Sequence, residues 1–275
     1  LSVYWIMFGH RIGNQLSMPS ANYVDAIQYT ENFQYIIVKA YTLAVDTFFL
    51  MGGLLVSISL LNANLKGTMN ILRMIYQRYI RYTPVWAIIV LYVVSLYKFG
   101  ITGPFQPDMS SNCENLWWAA LLHIQNYFKS GDMCFNHSWY LSADFQLYIV
   151  SPFLMIPAFK YGWKYFWSIP LLGLLSSMYV FALAMVYEIY EMPRVDGTAE
   201  IYSRWIYFPT HARIGPWMIG MTLGYILFNL RNKKVEITRT LNAVLWIISI
   251  GLLMTVLSTT YPISQIFNNE TSLIG

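Results

Sequence analysis

Two groups of side chains in this 275-residue chain have the types and spacing for chemistry. The first comprises His10, Asp46, Asp144, Gln146, His211 and Arg213, each inside or at the end of an otherwise apolar run. An ionisable group at the centre of a membrane helix costs about 2.5–3.5 kcal/mol on insertion. Such groups therefore face a bundle interior or a cavity, and they often mark a site. Counted at about 1.5 Å per residue, they fall at similar depths in their runs. The expectation is one polar cavity open to the outer side. Asp46 or Asp144 paired with Arg213 would make burial of the charges tolerable. His10, at the cavity mouth, is the group whose charge changes near neutral pH.

The second group is Arg78 and Arg81. An i, i+3 spacing puts both on one helical face. Two guanidiniums on one face can grip a phosphate, or they can serve as plain positive anchors at the membrane surface. His123 and His137 fall among the aromatic and polar residues of one connecting stretch and read as packing and loop.

The elements that must position these residues follow from charge and hydropathy. The chain is 57% hydrophobic and 11% charged, with mean hydropathy +0.45. A soluble domain carries about 25% charged residues, so this is an integral membrane chain. Its net charge of +4 does not indicate nucleic acid, because the basic residues sit at the ends of apolar runs. Lys66, Arg73, Arg78 and Arg81 share one stretch without an acid; Lys160 and Lys164 share a second; Arg231, Lys233, Lys234 and Arg239 face Glu236 in a third. The stretches between them are net acidic, as where Lys129 faces Asp108, Glu114 and Asp132. Lys and Arg accumulate in cytoplasmic loops, so the signs give the topology.

A helix needs roughly 20 apolar residues to cross a bilayer. Complete spans are expected near 37–61, 83–98, 139–157, 166–187, 206–229 and 240–260, preceded by the tail of another at 1–8. The fold expected is all-α, a polytopic transmembrane bundle of about seven crossings, forming one membrane domain over 1–275 that is incomplete at both ends. Gly52-Gly53 and the Gly220-x-x-x-Gly224 pair mark close helix packing. Cys113 and Cys134 fall in one outer loop, where a disulfide would be stable. Asn269-Glu270-Thr271 and Asn136-His137-Ser138 are glycosylation tripeptides on the same side, the second abutting a span. No His/Cys/Asp/Glu spacing suggests a metal site.

Several segments, taken in order, resemble the acyltransferase 3 integral membrane family, in its animal branch of nose resistant to fluoxetine proteins. They are Gly9-His10, VDTFFLMGG (45–53), Arg78-x-x-Arg81 before Pro84, CENLWWAALLHIQNY (113–127), CFNHSWYLSADFQLYIVSP (134–152) and RIGPWMIGMTLGY (213–225). Gly52-Gly53 stand where many members have Ser-Gly. The resemblance implies a domain of about ten spans. It also implies an enzyme transferring acyl groups (other than amino-acyl groups) from cytoplasmic acyl-CoA, with acetyl-CoA the expected donor, to an acceptor on the outer or luminal side. His10 maps to the family's essential histidine, Arg78 and Arg81 to the arginines associated with the donor, and Trp139, Tyr140 and Asp144 to its WYLxxD/E-type segment.

On this reading acyl-CoA is a co-substrate and no cofactor is held. The partners are the lipid bilayer and a hydroxyl- or amine-bearing acceptor. The membrane is the plasma membrane or the endoplasmic reticulum. His10 would act as general base or as nucleophile, oriented by Asp46 or Asp144, with Arg213 or Gln146 at the oxyanion. Trp139, Tyr140, Gln146, His211 and Arg213 would line the substrate cavity. The rival reading is a lipid or drug transporter on the same scaffold, with the cavity as a vestibule.

Overall fold

A computed structural model describes residues 2–16, 25, 35, 38, 40–96, 109–189, 198–234 and 238–272. Among them every regular element is helical and no strand occurs, as the hydropathy pattern requires. The long helices are α1 (Ser2–Leu16), α2 (Tyr41–Leu65), α3 (Ile71–Ser95), α4 (Met109–Leu121) and α5 (Trp139–Tyr161). A short α6 (Trp163–Phe166) leads into α7 (Ser168–Val186). After the single turn α8 (Thr198–Ile201) come α9 (Thr210–Leu230) and α10 (Arg239–Ser272).

Three stretches are long and apolar enough to cross a membrane: 41–65, 136–161 and 163–186. The 25-residue α3 and the 21-residue α9 have the length but less apolar composition. The chain divides into two compact units, one of residues 1–48 with 230–275 and one of 49–229.

Several boundaries differ from those the apolar runs suggest, because polar residues at the end of a run do not end a helix. α1 continues through Arg11 to Leu16, so His10 lies within a helix rather than at its end. α3 begins at Ile71, not near 83. Asn70 caps it by accepting the Arg73 N–H at 2.9 Å, and Pro84 is carried inside the helix, where the missing N–H costs one bond without ending the element. α10 runs to Ser272 instead of giving way to a terminal loop. The side chains of 256–272, Asn269 among them, lie outside the described residues.

In the larger unit α9 packs on α2 through its glycines. A Cβ on Gly220 would collide with the Leu50 carbonyl, and one on Gly224 with the Ser57 hydroxyl. A Cβ on Gly52 would lie 2.6 Å from the ring of Trp217. Backbones this close need residues without side chains. Trp217 is fully buried, and its indole N–H donates to Ser151 Oγ of α5 at 2.9 Å. That bond satisfies the one polar atom of a large buried ring.

The stretch expected to be an outer loop is instead a hairpin lying along α3. Cys113 of α4 is bonded to Cys134, with the Cα atoms 4.1 Å apart. The bond is buried in an apolar cluster with Val90 and Val93 of α3 and Ala120 of α4. From there α4 runs down the helix, and at its far end His123 reaches Thr83. At 1.5 Å per residue, Thr83 lies about 10 Å along α3 from Val90. α4 carries enough polar residues to read as a loop by hydropathy, yet its Cys113, Ala119 and Ala120 face protein and are fully buried. His123 adopts φ 55, the left-handed region rarely entered by residues other than glycine, where the chain turns into the returning limb of the hairpin.

Candidate functional site

α3 and α5 run antiparallel, which brings Arg78 and Asp144 together 66 residues apart in sequence. Arg78 Nη2 donates to Asp144 Oδ2 at 2.5 Å. The side chains are only 18% and 10% exposed. Rings cover the guanidinium: Tyr148 at 4.2 Å and Tyr82 at 5.3 Å from its central carbon. Cation–π contact of this kind is worth more when desolvated. Arg78 Nε is buried and has no hydrogen-bond partner. Tyr140, one turn before Asp144 on α5, packs against Phe49 of α2 with ring centroids 4.8 Å apart.

This pair corrects two expectations. Arg78 is not at the mouth of its helix but about 10 Å inside it, at the same depth as Asp144 rather than on the opposite side. The carboxylate's partner is Arg78, not Arg213, because the antiparallel register of α3 on α5 places the Arg78 guanidinium at Asp144. Arg81, one turn on, is exposed, with Tyr82 beside it at 5.8 Å.

Behind the ion pair lies a buried hydrogen-bonded network. Gln146 Nε2 donates to the His123 carbonyl at 2.7 Å and to Asn126 Oδ1 at 2.9 Å. Thr210 Oγ1 donates to Gln146 Oε1 at 2.6 Å and accepts from Asn126 Nδ2 at 2.9 Å. Both amide hydrogens of Gln146 are thus used, leaving no donor for an oxyanion.

His123 Nε2 lies 3.0 Å from Thr83 Oγ1, its ring sits between Tyr79 and Phe145, and its Nδ1 is buried without a partner. His123 lies outside the three apolar crossing stretches, and burial lowers its imidazole to about 4. It is held neutral.

Arg213 is placed by a π-turn. Residues Tyr202–Tyr207 wind with an i to i+5 bond, Phe208 N–H to Ser203 O at 3.0 Å, and Pro209 follows without an N–H. The carbonyls at the end of the turn are left to side chains. Tyr207 O accepts Arg213 Nε at 2.9 Å, and Phe208 O accepts Asn126 Nδ2 at 3.2 Å. The Arg213 guanidinium lies 4.2 Å from the Tyr207 ring and 5.7 Å from Trp139.

His211 is exposed rather than enclosed. Its ring meets Tyr179 edge-on at 5.0 Å and stacks near Tyr127 at 6.1 Å. Adjacent positions on a helix point about 100° apart, so His211 cannot share its face with Thr210, which is turned inward. In the smaller unit His10 packs against Tyr41 with centroids 4.8 Å apart, and the Gly9 backbone is pressed onto that same ring. Asp46 is half-buried on α2. Asn136 is exposed on the turn before α5. Among the described residues no group of three His, Cys, Asp or Glu side chains is placed to hold a metal.

A family model described as an acyltransferase domain, acyltransferase 3, matches residues 1–273. The chain belongs to the acyltransferase 3 family. It is 28% identical over 253 residues to nose resistant to fluoxetine protein 6 of Caenorhabditis elegans, covering 82% of this chain and 30% of that protein. It is 23% identical over 266 residues to the regulator of hypoxia-inducible factor 1 of the same organism, covering 86% of this chain and 51% of the relative. The chain therefore spans about a third to a half of the length of these relatives. No solved structure matches.

In this acyltransferase 3 domain His10 lies in the smaller unit, and motif residues of the larger unit occupy two neighbourhoods. Arg78 and Asp144 form one, with Tyr140 nearby on α5. Trp139 and Arg213 form the other, at the π-turn. Sequence reasoning missed His123, Asn126 and Thr210 as members of one network. The only signal for them was the polar run His123-Ile124-Gln125-Asn126 within an aromatic stretch. A run of that kind is equally at home in a loop.

Proposed function

We propose that this domain transfers an acyl group from cytoplasmic acyl-CoA, acetyl-CoA as the first choice, to a hydroxyl or amine acceptor on the outer or luminal side of the membrane. Membership of the acyltransferase 3 family supports the reaction class. The observation that carries the donor end is the Arg78–Asp144 pair with exposed Arg81 one turn away. A half-buried guanidinium beside an exposed one suits a ligand with a charged head.

His10 serves as base or nucleophile. As base, it takes the acceptor proton while the acceptor oxygen or nitrogen attacks the thioester carbonyl. The C–S bond then breaks, and the departing thiolate of CoA takes up a proton. As nucleophile, its nitrogen forms an acyl-imidazole first and releases CoA before the acceptor arrives. Asp46 is the carboxylate left to orient the imidazole, since Asp144 is committed to Arg78. Arg213 is the candidate for the oxyanion, since the Gln146 amide is fully used. Asn136 and Asn269 are the candidate glycosylation sites, on the outer or luminal side of a plasma or endoplasmic reticulum membrane.

The test uses full-length protein in detergent with labelled acetyl-CoA. Release of CoA should be lost in His10→Ala. Release that persists unchanged removes the histidine from the mechanism.

One observation favours a second reading: a relative carries a name that refers to fluoxetine resistance. A transporter of lipids or lipophilic amines would be stabilised by such amines and not by CoA, because ligands raise stability only by binding the folded state. Thermal shifts with CoA against fluoxetine decide between the two.

A further inference from the structure

The tip of the disulfide hairpin is inside out for a loop in water. From Leu122 to Tyr127 its polar side chains turn inward and its apolar ones outward. His123, Gln125 and Asn126 are buried, and Gln146 of α5 bonds to the His123 carbonyl and to Asn126. Leu122, Ile124 and Tyr127 are 56%, 36% and 48% exposed. Water rewards the reverse arrangement, whereas hydrocarbon rewards this one. The outward surface continues along α4 through Trp118, one turn before Leu122 on the same face, and Trp117 beside it, both exposed.

Two helices measure how deep the tip lies. Thr83, bonded to His123, is about 10 Å along α3 from Val90, which packs with the disulfide. Gln146, bonded to the His123 carbonyl, is about 10 Å along α5 from Trp139. That part of α5 belongs to the apolar crossing stretch 136–161. The tip therefore descends alongside a crossing helix instead of standing clear of it. Backbone at such a depth must find its hydrogen bonds within the protein. The N–H groups of Leu122, His123 and Ile124 donate to the carbonyls of Trp118, Ala120 and Ala119, and those of Tyr127 and Phe128 to Ile124 and Gln125.

We propose that the hairpin is a re-entrant element, its tip immersed in the leaflet where the 136–161 stretch begins. Leu122, Ile124 and Tyr127 lie against lipid acyl chains, and Trp117 and Trp118 lie nearer the headgroups, where tryptophan is favoured. The depth matches the roughly 5–10 Å to which interfacial elements sink their apolar faces. The charges are placed accordingly. Glu114 and Asp132, each within two residues of a bonded cysteine, are exposed at the end away from the tip. Lys129 is exposed on the returning limb, and its long stem can carry the ammonium up to the headgroups. The polar network with Gln146 is thereby closed off from lipid by the outward apolar residues of the same hairpin.

The experiment places a nitroxide on the full-length protein in phosphatidylcholine nanodiscs. Cys113 and Cys134 are held in a buried bond, so Ile124→Cys supplies the labelling site, with the unsubstituted protein carried through as the blank. Gly131→Cys is the aqueous reference, because a Cβ there meets nothing within 4 Å. Collision rates are read with oxygen, which partitions into lipid, and with a hydrophilic nickel chelate, which does not. The oxygen-to-nickel ratio should be severalfold higher at position 124 than at 131. Equal ratios overturn the immersion. A label at 124 shielded from both reagents overturns lipid as the occupant and gives the face to a second copy or another protein. Leu122→Cys repeats the reading at a separate position should the first variant fail to fold, with the same two outcomes deciding.

Discussion

His123 Nε2 and Thr83 Oγ1 lie 3.0 Å apart, joining the tip of the disulfide hairpin to the middle of α3. This contact ties the stability of the hairpin to pH. Burial lowers the His123 imidazole to about 4, against about 6.5 in an unfolded chain. Between those values the unfolded chain binds more protons, so stability rises with pH. The contribution is complete above about 6.5 and is lost as pH falls towards 4. Thermal midpoints across this range should fall more steeply for the parent than for His123→Gln. Parallel curves would refute the neutral assignment.

The Cys113–Cys134 bond closes a loop with a sequence separation of 21. A loop of that size contributes about 3 kcal/mol by restricting the unfolded chain. Cys113→Ser with Cys134→Ser should lower unfolding free energy by about that amount, read by denaturant titration. Both sulfurs are buried. Mild reductant should therefore leave the folded protein unlabelled by a thiol reagent, with labelling appearing only on unfolding.

Gly220 sits where an added Cβ meets the Leu50 backbone carbonyl. Neither helix can yield without separating α2 from α9. Gly220→Ala should destabilise by about 1–3 kcal/mol or more. Gly13, which has open space at the same distance, supplies the control. Gly13→Ala should be neutral or stabilising by up to about 1 kcal/mol from helix propensity. Equal effects at the two positions would contradict the close packing.

Gln146 satisfies three groups at once: the His123 carbonyl, Asn126 Oδ1 and the Thr210 hydroxyl. Gln146→Leu leaves all three buried without it. Each orphaned group costs about 1–3 kcal/mol. The variant should be among the least stable single substitutions in the larger unit, measured by thermal unfolding. A loss below about 1 kcal/mol would show that the network repairs itself.

How far the sequence could be read depends on which interaction a feature obeys. The helical class, the crossing stretches over 41–65, 136–161 and 163–186, the glycine contacts of α9 and the Cys113–Cys134 bond were legible. Each follows from local composition or short-range spacing. The motif order also placed the chain in its family. The role of α4 was not legible, because its polar residues matched a loop while its buried face was set by α3. Arg78 and Asp144 were assigned to opposite sides because run boundaries locate a residue only along its own helix.

Apolar runs and charge signs, then, settle by themselves that this chain is a membrane-embedded bundle of helices, because water and lipid act on each segment separately. Which cation meets which carboxylate is settled only when α3 and α5 pack antiparallel in one register. That register depends on residues too far apart in the chain for any local pattern to report, Arg78 and Asp144 being 66 apart. Arg78 therefore belongs to Asp144 by packing, although the sequence alone placed it beside Arg81.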